Sequence, residues 1–231
     1  MAAAAVRTPA AALVVAAGRG ERLGYGKPKA LVEVGGRPML EWSVDALRSV
    51  PSVTSIAVAL PAEALDCAPP GTIPALGGAA RSESVAAALR VAGPERAVLV
   101  HDAARIFSAP ALFSAAIEML EATGADAVVA AAPVTDTIKR AAARGASETL
   151  EVVETLNRSE LWSIQTPQVF RREALEAALA APPELLGAAT DDAWLVEQMG
   201  GRVVVLPAPP ENFKITTAVD LRLAELLLCR T

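Results

Sequence analysis

Ala16-Ala17-Gly18-Arg19-Gly20-Glu21-Arg22-Leu23-Gly24-Tyr25-Gly26-Lys27-Pro28-Lys29 follows the apolar run Ala10 to Val15 and precedes a short alternating segment, Ala30 to Val34. The order is that of a strand feeding a glycine-rich, cationic loop. Gly18 and Gly20 let the backbone approach a ligand closely, with N–H groups turned towards an anion. Arg22 and Lys29 add full positive charge seven residues apart. The loop is not a dinucleotide fingerprint, because Leu23 stands where the third glycine belongs. Nor is it a Walker A loop, since Pro28 follows Lys27 and the glycine spacing is wrong. Glycines that only make a turn would not account for Arg22 and Lys29 together after a strand. The stretch reads as a polyphosphate-binding loop.

Outward from it, short apolar runs alternate with alanine- and leucine-rich helical stretches. Strands are expected at Ala11–Ala17, Thr54–Leu60, Ala97–Val100, Ala127–Ala132 and Arg202–Leu206, with a short one near Thr72–Leu76. Helices are expected at Pro38–Ser49, Ser82–Ala92, Pro110–Thr123, Arg172–Ala180, Asp191–Met199 and Ala218–Cys229. Between Pro133 and Phe170 the helical periodicity disappears. Val134–Ile138, Leu150–Thr155 and Ile164–Phe170 flank a polar loop and read as a β arm set apart from the main sheet. The alternation implies a three-layer α/β fold with a mainly parallel sheet. Ligands bind such sheets beyond the carboxyl ends of the strands. Gly18, Gly78 and Asp102 all follow expected strand ends, so three distant loops converge on one edge.

A length of 231 residues with 53% hydrophobic and 20% charged side chains supports a substantial core. A net charge of −5 argues against general nucleic-acid binding, so any functional positive charge has to be local. Two cysteines, Cys67 and Cys229, make no disulfide framework and point to a reducing cytoplasm. The apolar N-terminus has the flavour of a secretory signal, but Pro9 interrupts it and cleavage near Ala17 would remove the strand that feeds the loop. No run reaches the roughly 18 apolar residues of a membrane span.

Asp102 ends a buried apolar run, where an unpaired carboxylate is costly. Mg²⁺ bound by one carboxylate and substrate phosphates would resolve that cost. An ion pair with Arg105, or a helix N-cap, would do so equally well. His101 is the only histidine, which excludes a multi-histidine metal site and suits a packed structural role. Ser84 and Ser163 lack any histidine-and-acid partner for a hydrolase triad. Arg158 and Lys214 are lone cations in uncharged surroundings, and Thr190-Asp191-Asp192 reads most simply as a helix N-cap with an acidic first turn.

Taken together and in order, these pieces resemble the nucleotidyltransferases, and among them the 2-C-methyl-D-erythritol 4-phosphate cytidylyltransferase family. The matching segments are 16–22 with Pro28-Lys29, Gly77-Gly78 with Arg81 and Ser84-Val85, and Val100 to Arg105. Ala132 to Lys139, Asn157-Arg158, Leu161-Trp162, Thr166 to Phe170, Thr190 to Ala193 and Asn212 to Thr216 complete the set. The resemblance implies a single Rossmann-like nucleotidyltransferase domain over the chain, with residues 134–160 as a protruding arm for homodimerisation. It implies transfer of the cytidylyl group of CTP to 2-C-methyl-D-erythritol 4-phosphate with release of pyrophosphate. Ribitol 5-phosphate is the alternative acceptor, and a non-catalytic nucleotide-binding homologue the alternative class.

By the same resemblance Ala16, Ala17, Gly18, Gly20, Arg22, Lys29, Gly78, Ser84 and Ala103 would hold CTP, and Asp102 would hold Mg²⁺. Arg105, Thr137, Arg158, Thr190 and Lys214 would hold the acceptor, with Arg22, Lys29, Arg158 and Lys214 catalytic. Two departures stand out: Ile106 where the family has proline, and Ala80 where an acidic residue is common. The chemistry asks for no histidine base, because a phosphate monoester is already largely ionised at neutral pH, its second pKa being about 6.

Overall fold

In β1 (Ala10–Val15) successive side chains are buried on opposite faces. Ala10, Ala12 and Val14 join one hydrophobic cluster and Leu13 the other. The same alternation divides β6 (Ala97–Asp102), with Ala97 and Leu99 on one side and Val98 and Val100 on the other. A strand buried on both faces needs a helical layer over each, and so reads as continuously apolar. One layer is α1 (Met39–Arg48) and α3 (Pro110–Thr123), contributing Leu40, Val44, Phe113 and Ile117. The other is α2 (Arg81–Val91), α4 (Arg172–Leu179) and α6 (Asp192–Gln198), contributing Val85, Leu175 and Leu195.

The computed structural model describes residues 7–20, 23–143 and 149–229. Its central sheet also contains β4 (Val53–Leu60), β5 (Ile73–Leu76), β7 (Ala127–Pro133), β10 (Trp162–Arg171) and β11 (Val203–Pro207). The seven strands run in the order β11-β7-β10-β6-β1-β4-β5. All neighbours are parallel except β10, which is antiparallel to both β6 and β7. The three-layer, mainly parallel α/β architecture expected from the sequence is therefore present.

Within the non-helical stretch the structure differs from the sequence expectation. Ile164–Phe170 does not belong to the arm: it lies in β10, at the centre of the sheet. Gln165 to Phe170 are buried there, while Trp162 to Ile164 run out past the core along β7. Val134–Ile138 is not a strand. The arm is a separate two-stranded hairpin of β8 (Lys139–Ala143) and β9 (Leu150–Thr155), exposed along both strands.

α3 matches its expected span, because its signals are strong. Pro110 stands at the first helical position, and Gly124 follows the last turn with φ +64° and donates its N–H to the Leu120 carbonyl. A smaller cluster lies beyond the sheet. There a hairpin of β2 (Glu33–Val34) and β3 (Arg37–Pro38), with the first residue of α1, packs with α7 (Ala218–Leu228) through Val34, Met39, Leu221 and Ala224. Ile106 is buried in that cluster, so the side chain replacing the family's proline fills core space. The short α5 (Pro183–Ala188), absent from the sequence expectation, buries none of its residues.

Candidate active site

The loop after β1 folds back on itself: the Gly18 carbonyl accepts from Lys29 N–H at 3.0 Å, and the Gly20 carbonyl from Leu23 N–H at 2.8 Å. Gly20 has φ +70°, and a Cβ there would lie 2.8 Å from Lys29 Cβ and 3.1 Å from its Cα. Glycine is thus required twice over, by dihedral and by contact. The loop after β5 meets this loop at Gly77, where a Cβ would lie 2.4 Å from Ala17 Cβ. Ser84 Oγ then accepts from Gly78 N–H at 3.1 Å and donates to the Ala80 carbonyl at 3.2 Å. Glu83 accepts from the N–H groups of Ala79 and Ala80 at 2.8 and 3.2 Å. A carboxylate from the first turn of α2 thus holds the backbone of the loop that enters it, while Ala80 at the N-cap offers no side-chain acceptor.

Between these loops opens a cavity of about 460 Å³. Ala16, Ala17, Gly18, Gly20, Lys29, Gly78, Ser84 and Ala103 all line it, as do Asp102 and Lys214. Arg22 lies outside the described residues. Arg19, Arg81 and Thr216 also line the cavity, and sequence reasoning gave none of them a role.

Among the described residues Asp102 is the only acidic one in that lining, and it is 7% exposed. Its Oδ2 is 2.8 Å from Lys214 Nζ and 3.8 Å from Arg105 Nε, and its Oδ1 is 3.4 Å from Arg81 Nε. Burial opposes ionisation of this carboxyl, but Arg81, Lys214 and Arg105 together outweigh it and hold its pKa well below the usual carboxylate range. Arg81 reaches further, donating from Nη1 to Oδ2 of Asp192, which is 1% exposed. Burial strongly favours the neutral form of Arg81, and the Asp192 and Asp102 charges reverse that and raise its pKa.

The segment carrying Lys214 is pinned from below. Asn212 is fully buried and donates to Gln165 Oε1 at 2.8 Å and to the Thr166 carbonyl at 2.9 Å. Arg105 donates to the Asn212 carbonyl at 2.8 Å, and Ile215 N–H donates to the Ala104 carbonyl at 2.9 Å. Thr166 Oγ1 accepts from Asp102 N–H at 3.0 Å and lies 3.1 Å from His101 Nδ1. His101 is fully buried with its edge on Phe113, and burial drops its pKa to about 4. It is a neutral structural residue.

The acceptor residues are less gathered. Arg105 is 8% exposed and sits behind Asp102 rather than on the cavity wall. Thr190 is exposed just before Asp191, whose side chain caps α6 by accepting from Trp194 N–H at 2.8 Å. Thr137 and Arg158 are exposed at the root of the arm, where Arg158 donates to the Thr135 carbonyl at 2.8 Å. Of the residues expected to hold CTP, all but Arg22 line one cavity, and the arm residues stand outside it. Among the described residues no three metal-ligating side chains cluster, and no helix is long and apolar enough to cross a membrane.

A glycine loop at one strand end, a serine-braced loop at another, and a single ionised carboxylate among cations define a nucleotide-handling α/β protein. Comparison with known proteins narrows this. The family model of 2-C-methyl-D-erythritol 4-phosphate cytidylyltransferase matches residues 10–230. The chain is 45% identical over 224 residues to the enzyme of that description from Rhodococcus jostii, covering 95% of each protein. It is 46% identical to the one from Nocardia farcinica, covering 95% of this chain and 94% of that protein. The crystal structure of 2-C-methyl-D-erythritol 4-phosphate cytidylyltransferase from Thermus thermophilus superposes with a TM-score of 0.77 at 34% identity, covering 96% of this chain and 99% of that one. The chain belongs to this family, and is a cytidylyltransferase of the non-mevalonate isoprenoid pathway.

Proposed function

We propose that the cavity binds CTP, with its triphosphate on the loop after β1 and its cytosine on the loop after β5, and that the erythritol phosphate enters beside Lys214. The observation that carries this is the joint lining of one cavity by Gly18, Lys29, Ser84, Asp102 and Lys214, which come from four separate stretches of sequence. An ionised oxygen of the acceptor phosphate attacks the α-phosphorus of CTP. A phosphorus–oxygen bond forms there as the bond to the leaving pyrophosphate breaks, and no proton has to move. The difficulty is bringing two polyanions together, so the chain supplies positioning and fixed positive charge.

Loop amides with Arg22 and Lys29 hold the triphosphate and meet the charge that builds on the leaving group. Gly78 and Ser84 seat the base, and Ala16, Ala17, Gly20 and Ala103 give the close walls. Lys214 aligns the acceptor phosphate with Arg158 and Thr137 of the arm and Thr190 before α6, while Arg105 adds positive potential behind Asp102. The donor set suits Mg²⁺: one ionised carboxylate at the cavity, with water and phosphate oxygens left to complete an octahedron. Asp102 would hold it, and the chemistry supplied there is neutralisation of charge between the phosphates. We assign the arm to a homodimer in which Thr137 and Arg158 serve the partner's cavity.

The test is pyrophosphate release with CTP and each acceptor, with and without Mg²⁺. Faster turnover with the erythritol phosphate than with ribitol 5-phosphate is expected, and equal rates would overturn the acceptor assignment. Full activity in excess chelator would remove the metal.

A further inference from the structure

We propose that Arg81 on the cavity wall and the buried Asp192 form a strut that holds the acceptor side of the cavity in place from the nucleotide side, which makes both positioning residues. The proposal rests on the acceptor pocket described above.

Arg81 begins α2, three residues after Gly78 and three before Ser84, so it moves with the loop assigned to cytosine. Asp192 begins α6, two residues after Thr190, so it moves with the segment assigned to the acceptor. The two are 111 residues apart in sequence, and their side chains are in direct contact. The same guanidinium reaches Asp102 Oδ1 at 3.4 Å, which ties both helices to the carboxylate at the floor of the cavity. A planar fork can serve two carboxylates on different edges, whereas an ammonium acts as a single point.

Asp192 makes its side-chain contact with Arg81 from a 1% exposed position, so substrate does not reach it. Its neighbour Asp191 is fixed separately, accepting from Gln168 Nε2 at 2.9 Å and from Trp194 N–H. The helix would therefore keep its cap if the strut were cut. What changes is the angle at which α6 presents Thr190, and the orientation of Asp102. A residue that acts through such placement alters acceptor recognition more than nucleotide affinity.

The experiment compares Asp192→Asn, Arg81→Lys and the double variant by steady-state kinetics for each substrate, with Thr190→Ala as a control and thermal midpoints for all. Asp192→Asn is expected to raise the acceptor KM about tenfold and leave the CTP KM within about twofold, a difference typical of one coupled buried contact. The double variant should be no worse than the poorer single variant in acceptor kcat/KM, because both cut the same strut. Losses confined to Vmax that follow the folded fraction, or single effects that multiply in the double variant, would overturn the strut. Thr190→Ala keeps the two questions apart: an unchanged acceptor KM there would instead overturn the acceptor pocket.

Discussion

At the cavity, Asp102, Arg105 and Asp192 are 7, 8 and 1% exposed, and each is partnered by opposite charge. On the arm, Leu150, Val152 and Val153 are 67, 60 and 61% exposed, and none belongs to a core cluster. Charged groups are thus covered beneath the cavity, and apolar groups are left bare on the arm. The first arrangement is complete within one chain. The second is an exposed apolar surface of the kind that the proposed contact with a second copy would cover.

Four changes press on that contrast. Lys214→Met should have the largest effect, lowering kcat about a thousandfold, roughly 4 kcal/mol, because it removes a fixed cation from the reacting phosphates. Rate measurements on protein of unchanged circular dichroism decide it, and a loss below about tenfold would show that the cavity does not depend on this side chain. Next comes His101. Its folded pKa of about 4 lies below the ordinary 6.5, so the unfolded chain binds the extra proton first and acid weakens the fold. Stability from this group is full above about pH 6.5 and is lost down to about pH 4, an effect of about 3 kcal/mol. Denaturant titrations of wild type and His101→Gln should differ in that window, the variant being flatter. Identical slopes would mean that the imidazole is not held neutral.

On the arm, Leu150→Ala should weaken self-association about thirtyfold, near 2 kcal/mol, if the bare apolar strand is a contact between copies. Sedimentation across a dilution series reads it, and an unchanged profile would leave the arm without that partner. Smallest of all, Glu154→Gln breaks the exposed pair with Arg140. It should cost below about 1 kcal/mol in thermal unfolding, since solvent already screens that contact. A larger cost would mean that the arm is covered after all.

Most of this architecture was legible in the sequence where local signals agree with burial. Proline and glycine bracket α3, and uninterrupted apolar runs mark β1, β6 and β7, which are buried on both faces. β10 was not legible as a core strand, because Gln165, Thr166 and Gln168 interrupt its apolar pattern. They are buried to hold Asn212, Asp102 and Asp191, a reason that exists only once distant segments meet. Gly18 and Gly20 could be read from the loop after β1, since glycine chemistry is local, whereas roles for Ser84 and Ala103 came only from the family resemblance. The pairing of Arg81 with Asp192 was not legible, because a contact across 111 residues leaves no periodicity behind, and Asp192 read only as part of an acidic first turn.

One strand joins the two contrasted regions. β10 leaves the root of the arm at Trp162 and reaches Thr166, whose hydroxyl holds the Asp102 backbone, within the same ten residues. Its register against β7 shifts between Ile164 and Gln168, and Thr166 sits inside that irregularity. The pairing is regular on either side, against Pro133 to Ala131 and against Val129 to Ala127. A change of length on either side therefore has to be absorbed in the short stretch where the Thr166 hydroxyl holds the Asp102 backbone.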